Sequence, residues 1–333
     1  VTEGEVPEGG LVPTYLSDAL PPSPRWVNVF IIGAARSGST WLQALLGAHP
    51  RIATTVELSV FHRFVGPWVE AWQFEENVLA ASGVPQGLRY VMSEAEFRAF
   101  LSSFVHTCYQ RVFERRPGAT HVLDKQPGYS PHVRLIDEML PGARFIHLVR
   151  DGRDVAVSMR NAGPSMAFGP VTAGSAARLW AKAVRDARVA RGFGDRYLEI
   201  KYEELLADTL SVLARIFDHC GVAASPEQIQ AIVENYSFER MKSRRATADP
   251  QVLAHPRHYQ RGGTGRWRQE LSLGERYEVH RAAGDLLVEL GYATANWWGA
   301  TVLERGAAPL LALGERAKRR IARFASPARA GAR

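Results

Sequence analysis

The sequence predicts a three-layer α/β fold, with a central parallel sheet and helical insertions. Three observations predict it. Short strand-like runs at 27–32, 121–124, 144–149 and 197–200 alternate with segments of helical periodicity, as expected for a parallel sheet covered on both faces. A Gly- and Ser-rich turn separates the first run from the first helix. The composition is that of a globular chain, with 46% hydrophobic and 23% charged residues, and no apolar run approaches the roughly 18 residues of a membrane span.

Taken in order, residues 1–25 are rich in Pro, Gly and acid and end in Pro21-Pro22-Ser23-Pro24, which predicts an irregular surface arm. Val27 to Ile32 is the first strand. Thr40 to Ala48 reads as a helix with Trp41, Leu42, Leu45 and Leu46 apolar. The segment 58–118 is helical and amphipathic, with Phe61, Phe64, Trp68, Trp72, Phe74, Phe97, Phe100 and Phe104 along it. A strand at 121–124, a helix near 131–140 and a strand from Arg144 to Val149 follow. Further helices are expected from Gly152 to about Asn161, at 174–192, 203–220, 226–235 and 275–290, with a strand at 197–200. The domain is expected over 26–296, followed by a basic amphipathic helix and tail over 297–333.

The 333 residues carry a net charge of +7, but seven Arg or Lys and no acid fall within 316–333, leaving 34 of each sign in the rest. The basic excess belongs to the tail, which argues against a nucleic-acid-binding body. Two cysteines, Cys108 and Cys220, make no disulfide framework. No secretory leader is visible, so the expected location is cytoplasmic, with peripheral membrane contact through the tail as an option.

Residues 33–40 read Gly33-Ala34-Ala35-Arg36-Ser37-Gly38-Ser39-Thr40 between a strand and a helix. Unpaired N–H groups and the dipole at a helix N-terminus favour an anion there, and small residues let the backbone wrap its oxygens. The strand–loop–helix order makes the expected fold one of P-loop type. The spacing fits Gly-x-x-x-x-Gly-Lys-Ser/Thr except that Ser39 occupies the lysine position and the cation is Arg36 within the loop. That departure weakens a nucleoside-triphosphate reading.

A second anion site is expected at Arg150-Asp151-Gly152-Arg153-Asp154 through Ser158. Arg150 ends a strand, at the sheet edge where open α/β folds bind ligands, and its guanidinium suits a phosphate. The same run could instead be a surface knot of salt bridges.

These stretches, with Gln260-Arg261-Gly262-Gly263-Thr264-Gly265-Arg266-Trp267, resemble the sulfotransferases that use 3′-phosphoadenosine 5′-phosphosulfate (PAPS, leaving the product PAP). The first resembles the family's 5′-phosphosulfate loop, the second its 3′-phosphate site, and the third the glycine-rich stretch that closes on that phosphate. Lys201-Tyr202-Glu203-Glu204-Leu205 and Tyr236-Ser237-Phe238-Glu239-Arg240-Met241-Lys242 are similar to segments near the adenosine. The resemblance implies donor contacts from Arg36, Ser37, Gly38, Ser39, Thr40, Trp41, Arg150, Ser158, Tyr202, Ser237, Phe238, Arg261, Gly262 and Gly263, with Trp41 and Phe238 as flat faces for adenine. A sulfuryl group in flight carries less charge than a phosphoryl group, so cations and N–H groups can stabilise it without a metal, and no metal-ligand cluster is evident in the sequence.

In cytosolic members a histidine two residues after a lysine deprotonates the acceptor. Here Leu123-Asp124-Lys125-Gln126-Pro127 keeps the lysine, and Pro127 replaces the histidine. Arg36-Ser37-Gly38-Ser39-Thr40, then Ala48-His49-Pro50, then Glu57 resembles instead the branch of tyrosylprotein sulfotransferases and related bacterial enzymes. That branch implies Glu57 as general base, a role a carboxylate fills if burial raises its pKa. Lys125 and Arg36 would serve the bridging oxygen of the donor. His62 and His106 are secondary candidates for the base.

The acceptor is expected to be a hydroxyl on a small molecule, sugar or peptide, shaped by 58–118 and a loop at 163–175 acting as a lid. The aromatic stripe fits either an acceptor wall or a core. At 297–325, Leu303, Leu310, Ala317 and Phe324 recur every seven residues among basic positions, which fits membrane-surface contact, homodimerisation or packing on the domain itself. Two rivals are a P-loop small-molecule kinase, which needs ATP and magnesium, and a non-catalytic nucleotide-binding module.

Overall fold

The computed structural model of the chain describes residues 25–84, 86–162, 171–237, 240–241, 263–295 and 297–298. The loop at 163–170, most of the N-terminal arm and all but two residues of the expected C-terminal helix and tail lie outside them. Five parallel strands form one sheet in the order β2-β3-β1-β4-β5. They are β1 (Val27–Ile32), β2 (Ile52–Thr54), β3 (His121–Lys125), β4 (Arg144–Val149) and β5 (Tyr197–Lys201).

β1 sits at the centre and alternates its side chains between two cores. Phe30 and Ile32 join one apolar cluster with Phe61, Tyr109, Tyr129 and Phe145. Val29 and Ile31 join another with Trp41, Leu45, Ile200 and Phe217. This period of two, apolar on both faces, is what a central parallel strand requires. A third cluster packs Trp180, Val155 and Leu287 together beyond the sheet.

The helices are α1 (Ser39–Gly47), α2 (Gly66–Ser82), α3 (Glu94–Glu114), α4 (Val133–Met139), α5 (Gly152–Ala162), α6 (Ala173–Ala187), α7 (Tyr202–Ala207), α8 (Thr209–Cys220), α9 (Pro226–Asn235), α10 (Trp267–Glu270) and α11 (Leu273–Glu289). α3, α6, α9 and α11 each open on a reciprocal cap, from Ser93, Thr172, Ser225 and Ser272.

Several boundaries differ from expectation. The segment expected as one helix at 203–220 is two, because Asp208 leaves helical geometry and its carboxylate caps the Ser211 N–H at 3.1 Å. The helix expected to reach 192 ends at Ala187 and tightens into a 3-10 segment over 188–196. The 58–118 insertion begins with a π-helical turn, Val60–Val65, before α2 and α3. Its aromatic stripe divides: Phe61, Trp72 and Phe97 are core, whereas Phe64, Phe74 and Phe100 are exposed.

The register positions the chemistry. Ile31 pairs with Lys125 and Ile32 with His147, so the ends of β1, β3 and β4 finish at one edge. The chain leaves β1 toward β3 and β2 on one side and toward β4 and β5 on the other. That edge is therefore the switch point where open α/β sheets hold ligands.

Candidate active site

The loop after β1 packs closely against the end of β4 and the Tyr202 ring. Gly33 has φ 127°, and a Cβ there would lie 2.7 Å from the Leu148 carbonyl oxygen. Its N–H donates to Ser130 Oγ at 3.1 Å, which ties the loop to the end of β3. Arg36, although not glycine, takes left-handed geometry (φ 69°). Gly38 (φ 95°) precedes α1, and a Cβ there would lie 2.5 Å from the Tyr202 ring. Among the described residues no side chain caps α1, so Ser39 and Thr40 open a first turn of the kind whose N–H groups suit an anion. Ser37 Oγ is buried with no hydrogen-bond partner among the described residues.

Arg150 joins the three stretches. Its Nη1 donates to the Arg36 carbonyl at 3.1 Å and its Nη2 to the Gly263 carbonyl at 2.8 Å. The guanidinium lies 4.5 Å from the centre of the Tyr202 ring. Arg150 is 6% exposed, and its Nε has no partner among the described residues. Arg36 Nε donates to Ser158 Oγ at 3.1 Å. Burial, and then the nearby Arg150 charge, push the Arg36 guanidinium below its usual pKa. One buried and one half-buried cation, with a hydroxyl and a guanidinium N–H that lack partners among the described residues, fit an anionic ligand on this edge.

The acids of the second stretch are engaged elsewhere. Asp151 pairs with Arg153 (Nη2 to Oδ2, 2.7 Å), but both are buried, so this ion pair is not the surface knot of the alternative reading. Asp154 accepts from the Gly265 and Trp267 N–H groups at 2.7 and 3.0 Å, strapping the third stretch onto α5. Burial raises the Asp154 pKa, and those two bonds oppose the shift.

Near the expected adenosine side, Tyr202 is buried under Arg150, and burial raises its phenol pKa. Trp41 is 3% exposed, meets Tyr202 edge-on at 6.2 Å and donates its indole N–H to the Tyr236 carbonyl at 2.9 Å. In this conformation its face lies within the core. Ser237 follows Tyr236, with its Oγ accepting the Arg240 N–H at 3.4 Å. Phe238, Arg261 and Gly262 lie outside the described residues.

Glu57 and Lys125 meet beside the loop. Lys125 Nζ forms an ion pair with Glu57 Oε1 and reaches Thr40 Oγ1 at 3.3 Å. The burial expected of Glu57 is absent: its side chain is 43% exposed, because it stands at the open end of β3 rather than beneath it. Gln126 Nε2 holds the second carboxylate oxygen at 3.2 Å. The segment carrying Glu57 is tied down from β3 as well. Buried Asp124 accepts from the Tyr109 and Tyr129 hydroxyls at 2.9 and 2.7 Å, and the Tyr129 oxygen accepts the Val60 N–H at 3.0 Å. Burial raises the Asp124 pKa against those bonds.

His62 is exposed and packs on Gly128, two residues beyond Gln126. His106 packs on Trp26, just before β1 and therefore at the opposite end of the sheet from the Glu57–Lys125 pair. Sequence reasoning missed Gln126, Ser130 and the strap from Asp154. Gln126 and Ser130 carry no charge or motif that marks them. Asp154 was visible only as one acid of a mixed-charge run. Among the described residues no three His, Cys, Asp or Glu side chains cluster as a metal site.

A central parallel sheet whose β1 loop and β4 end are bridged by Arg150 at one edge defines an α/β protein of the class that holds ligands at that edge. The sequence model described as "Sulfotransferase family" matches residues 28–226, and the chain belongs to that family. Among relatives, an uncharacterised protein of Aquifex aeolicus is 25% identical over 206 residues, covering 58% of this chain and 25% of its own length. The protein-tyrosine sulfotransferase of Drosophila melanogaster is 27% identical over 128 residues, covering 38% and 23%. The chain thus spans about a quarter of the length of these two curated relatives. The fold is similar to mouse sulfotransferase SULT7A1 complexed with PAP (TM-score 0.53, 17% identity, 82% of this chain and 87% of that one). It is also similar to the sulfotransferase domain of the curacin biosynthetic pathway (TM-score 0.52, 19% identity, 79% and 98%).

Proposed function

We propose that the chain transfers the sulfuryl group of PAPS to an acceptor hydroxyl. The observation that carries this reading is the bridge from Arg36 through Arg150 to Gly263, which joins the two expected anion sites on one sheet edge while Ser37 Oγ and Arg150 Nε lack partners among the described residues. A donor with phosphate groups at both its 5′ and 3′ ends brings an anion to each of the two sites. When bound, it supplies the activated sulfuryl group.

In this reading Arg36, the Ser37 hydroxyl and the N–H groups of Gly38, Ser39 and Thr40 hold the 5′ end. Arg150, Ser158 and the stretch Arg261-Gly262-Gly263 hold the 3′-phosphate. Tyr202, Ser237 and Phe238 flank the base, with Trp41 packed behind Tyr202. Lys125 turns from Glu57 toward the bridging oxygen, where its charge stabilises the leaving group. Glu57 Oε1, released by Lys125, takes the proton of the acceptor hydroxyl. Holding both reactants on one edge supplies much of the acceleration. The acceptor is a hydroxyl compound; the exposed Phe64 and Phe100 beside partly buried Trp68 favour one with an apolar face.

The relation to relatives named as protein-tyrosine sulfotransferases supports this chemistry over that of a kinase, as does Ser39 in the lysine position. Thermal shift provides the first test: PAP should raise the melting temperature more than ATP with magnesium does. A larger shift with ATP overturns the donor assignment. Transfer of label from sulfur-labelled PAPS to a pooled panel of hydroxyl compounds tests turnover, and binding without transfer to any of them would favour a non-catalytic module.

A further inference from the structure

We propose that Gln126 is the positioning residue that aims the Glu57 carboxylate and designates Oε1 as the oxygen that receives the proton. The proposal rests on the reading of Glu57 as base. Gln126 is buried at the end of β3, one residue beyond Lys125. Its Oε1 accepts the Gly128 N–H at 3.3 Å, which fixes the orientation of the amide. Nε2 must then face the other way, where it donates to Ser59 Oγ at 2.7 Å and to Glu57 Oε2 at 3.2 Å. Both amide hydrogens are used, and neither can rotate away without breaking the Gly128 bond.

Glu57 needs such a hold. Its side chain is 43% exposed, and among the described residues its carboxylate has two partners, Lys125 and Gln126. Lys125 is the partner that must leave if it is to serve the donor. Gln126 then remains on Oε2, so Oε1 becomes the free oxygen. The backbone beneath agrees with a positioned carboxylate. Ser59, which receives the other Gln126 hydrogen, is held at φ 57° immediately before the π-helical turn Val60–Val65. A left-handed non-glycine residue persists only where its surroundings impose it. Lys125 and Gln126 are successive residues, so the cation that serves the donor and the amide that serves the base share one strand end.

The test is a double-mutant cycle on the full chain. It uses labelled PAPS and whichever compound of the hydroxyl panel the parent sulfates best. Gln126→Leu should lower kcat about ten- to a hundredfold, the range expected when a reacting group loses its alignment, and leave the KM for PAPS within about twofold. In a Glu57→Gln background the same change should have no further effect, since nothing remains to aim. Gln126→Asn, which keeps an amide but withdraws it by one methylene, should lie between the two and keeps the test sound if the leucine variant folds poorly. A readout independent of turnover is the Gln126 side-chain amide signal in proton–nitrogen spectra, which Glu57→Gln should displace. Equal losses from Gln126→Leu with and without Glu57, or parental kcat in both Gln126 variants, overturn the proposal. Full activity in Glu57→Gln alone removes the base reading itself, a distinct result.

Discussion

Arg36 and Ser158 lie 122 residues apart in the chain, yet Arg36 Nε and Ser158 Oγ are 3.1 Å apart. The loop after β1 and the helix after β4 therefore share one hydrogen bond at the sheet edge. Arg150 completes the link by holding the Arg36 carbonyl on one side and the Gly263 carbonyl on the other.

This arrangement makes Arg150 the residue on which donor binding depends most. We predict that Arg150→Ala weakens PAP binding by at least about tenfold, since a hydrogen bond to a charged group contributes roughly 1.5–3 kcal/mol. Calorimetric titration with PAP measures it; parental affinity in the variant would refute the assigned role.

For Glu57→Gln the prediction separates binding from chemistry. The amide keeps the size of the side chain and removes its basicity, so PAP affinity should be unchanged while turnover falls at least about tenfold. Affinity and rate falling together would place Glu57 in donor binding instead.

Gly38 tests the loop geometry. At φ 95°, with a new Cβ 2.5 Å from the Tyr202 ring, Gly38→Ala is strained in both backbone and contact. It should cost about 1–3 kcal/mol, seen as a melting temperature several degrees lower, with weakened PAP binding. A variant that melts and binds as the parent does would mean that the loop is not held as described.

The pH dependence of stability has a definite sign. His49, His106, His121, His132, His147 and His219 all sit below the usual histidine value of 6.5, chiefly through burial. Below that pH the unfolded chain binds protons that the folded chain refuses, so stability falls as pH drops through and under 6.5. Asp124 and Asp154, raised by burial, act in the opposite sense but are two against six. The urea midpoint should therefore be lower at about pH 5.5 than at about pH 7.5. A flat or rising midpoint on acidification would contradict the burial of these rings.

Much of this was legible in the sequence because the signals are local. Val27–Ile32 and Arg144–Val149 are apolar runs whose limits coincide with β1 and β4. The glycines and arginines of 33–40 and 150–158 mark sites whose chemistry needs those residue types. Other features depend on distant partners. Ile52–Thr54 is too short to announce itself and becomes a strand only by pairing with β3. Trp41 is apolar and aromatic whether it faces a purine or Tyr202. The exposure of Glu57 depends on where β3 ends, and the role of Gln126 depends on Ser59 and Gly128 lying within reach of one amide. Asp208 splits a helix by capping, a choice that periodicity does not register.

Because Gly263 and the N–H groups of Gly265 and Trp267 reach back to Arg150 and Asp154, this strap forms only after the sheet and the loops at its edge have been made. All five strands emerge from the ribosome first, and a nascent chain halted before this strap would present an open-sided pocket. In the proposed reading, competence to hold the donor is thus acquired only after the scaffold already exists.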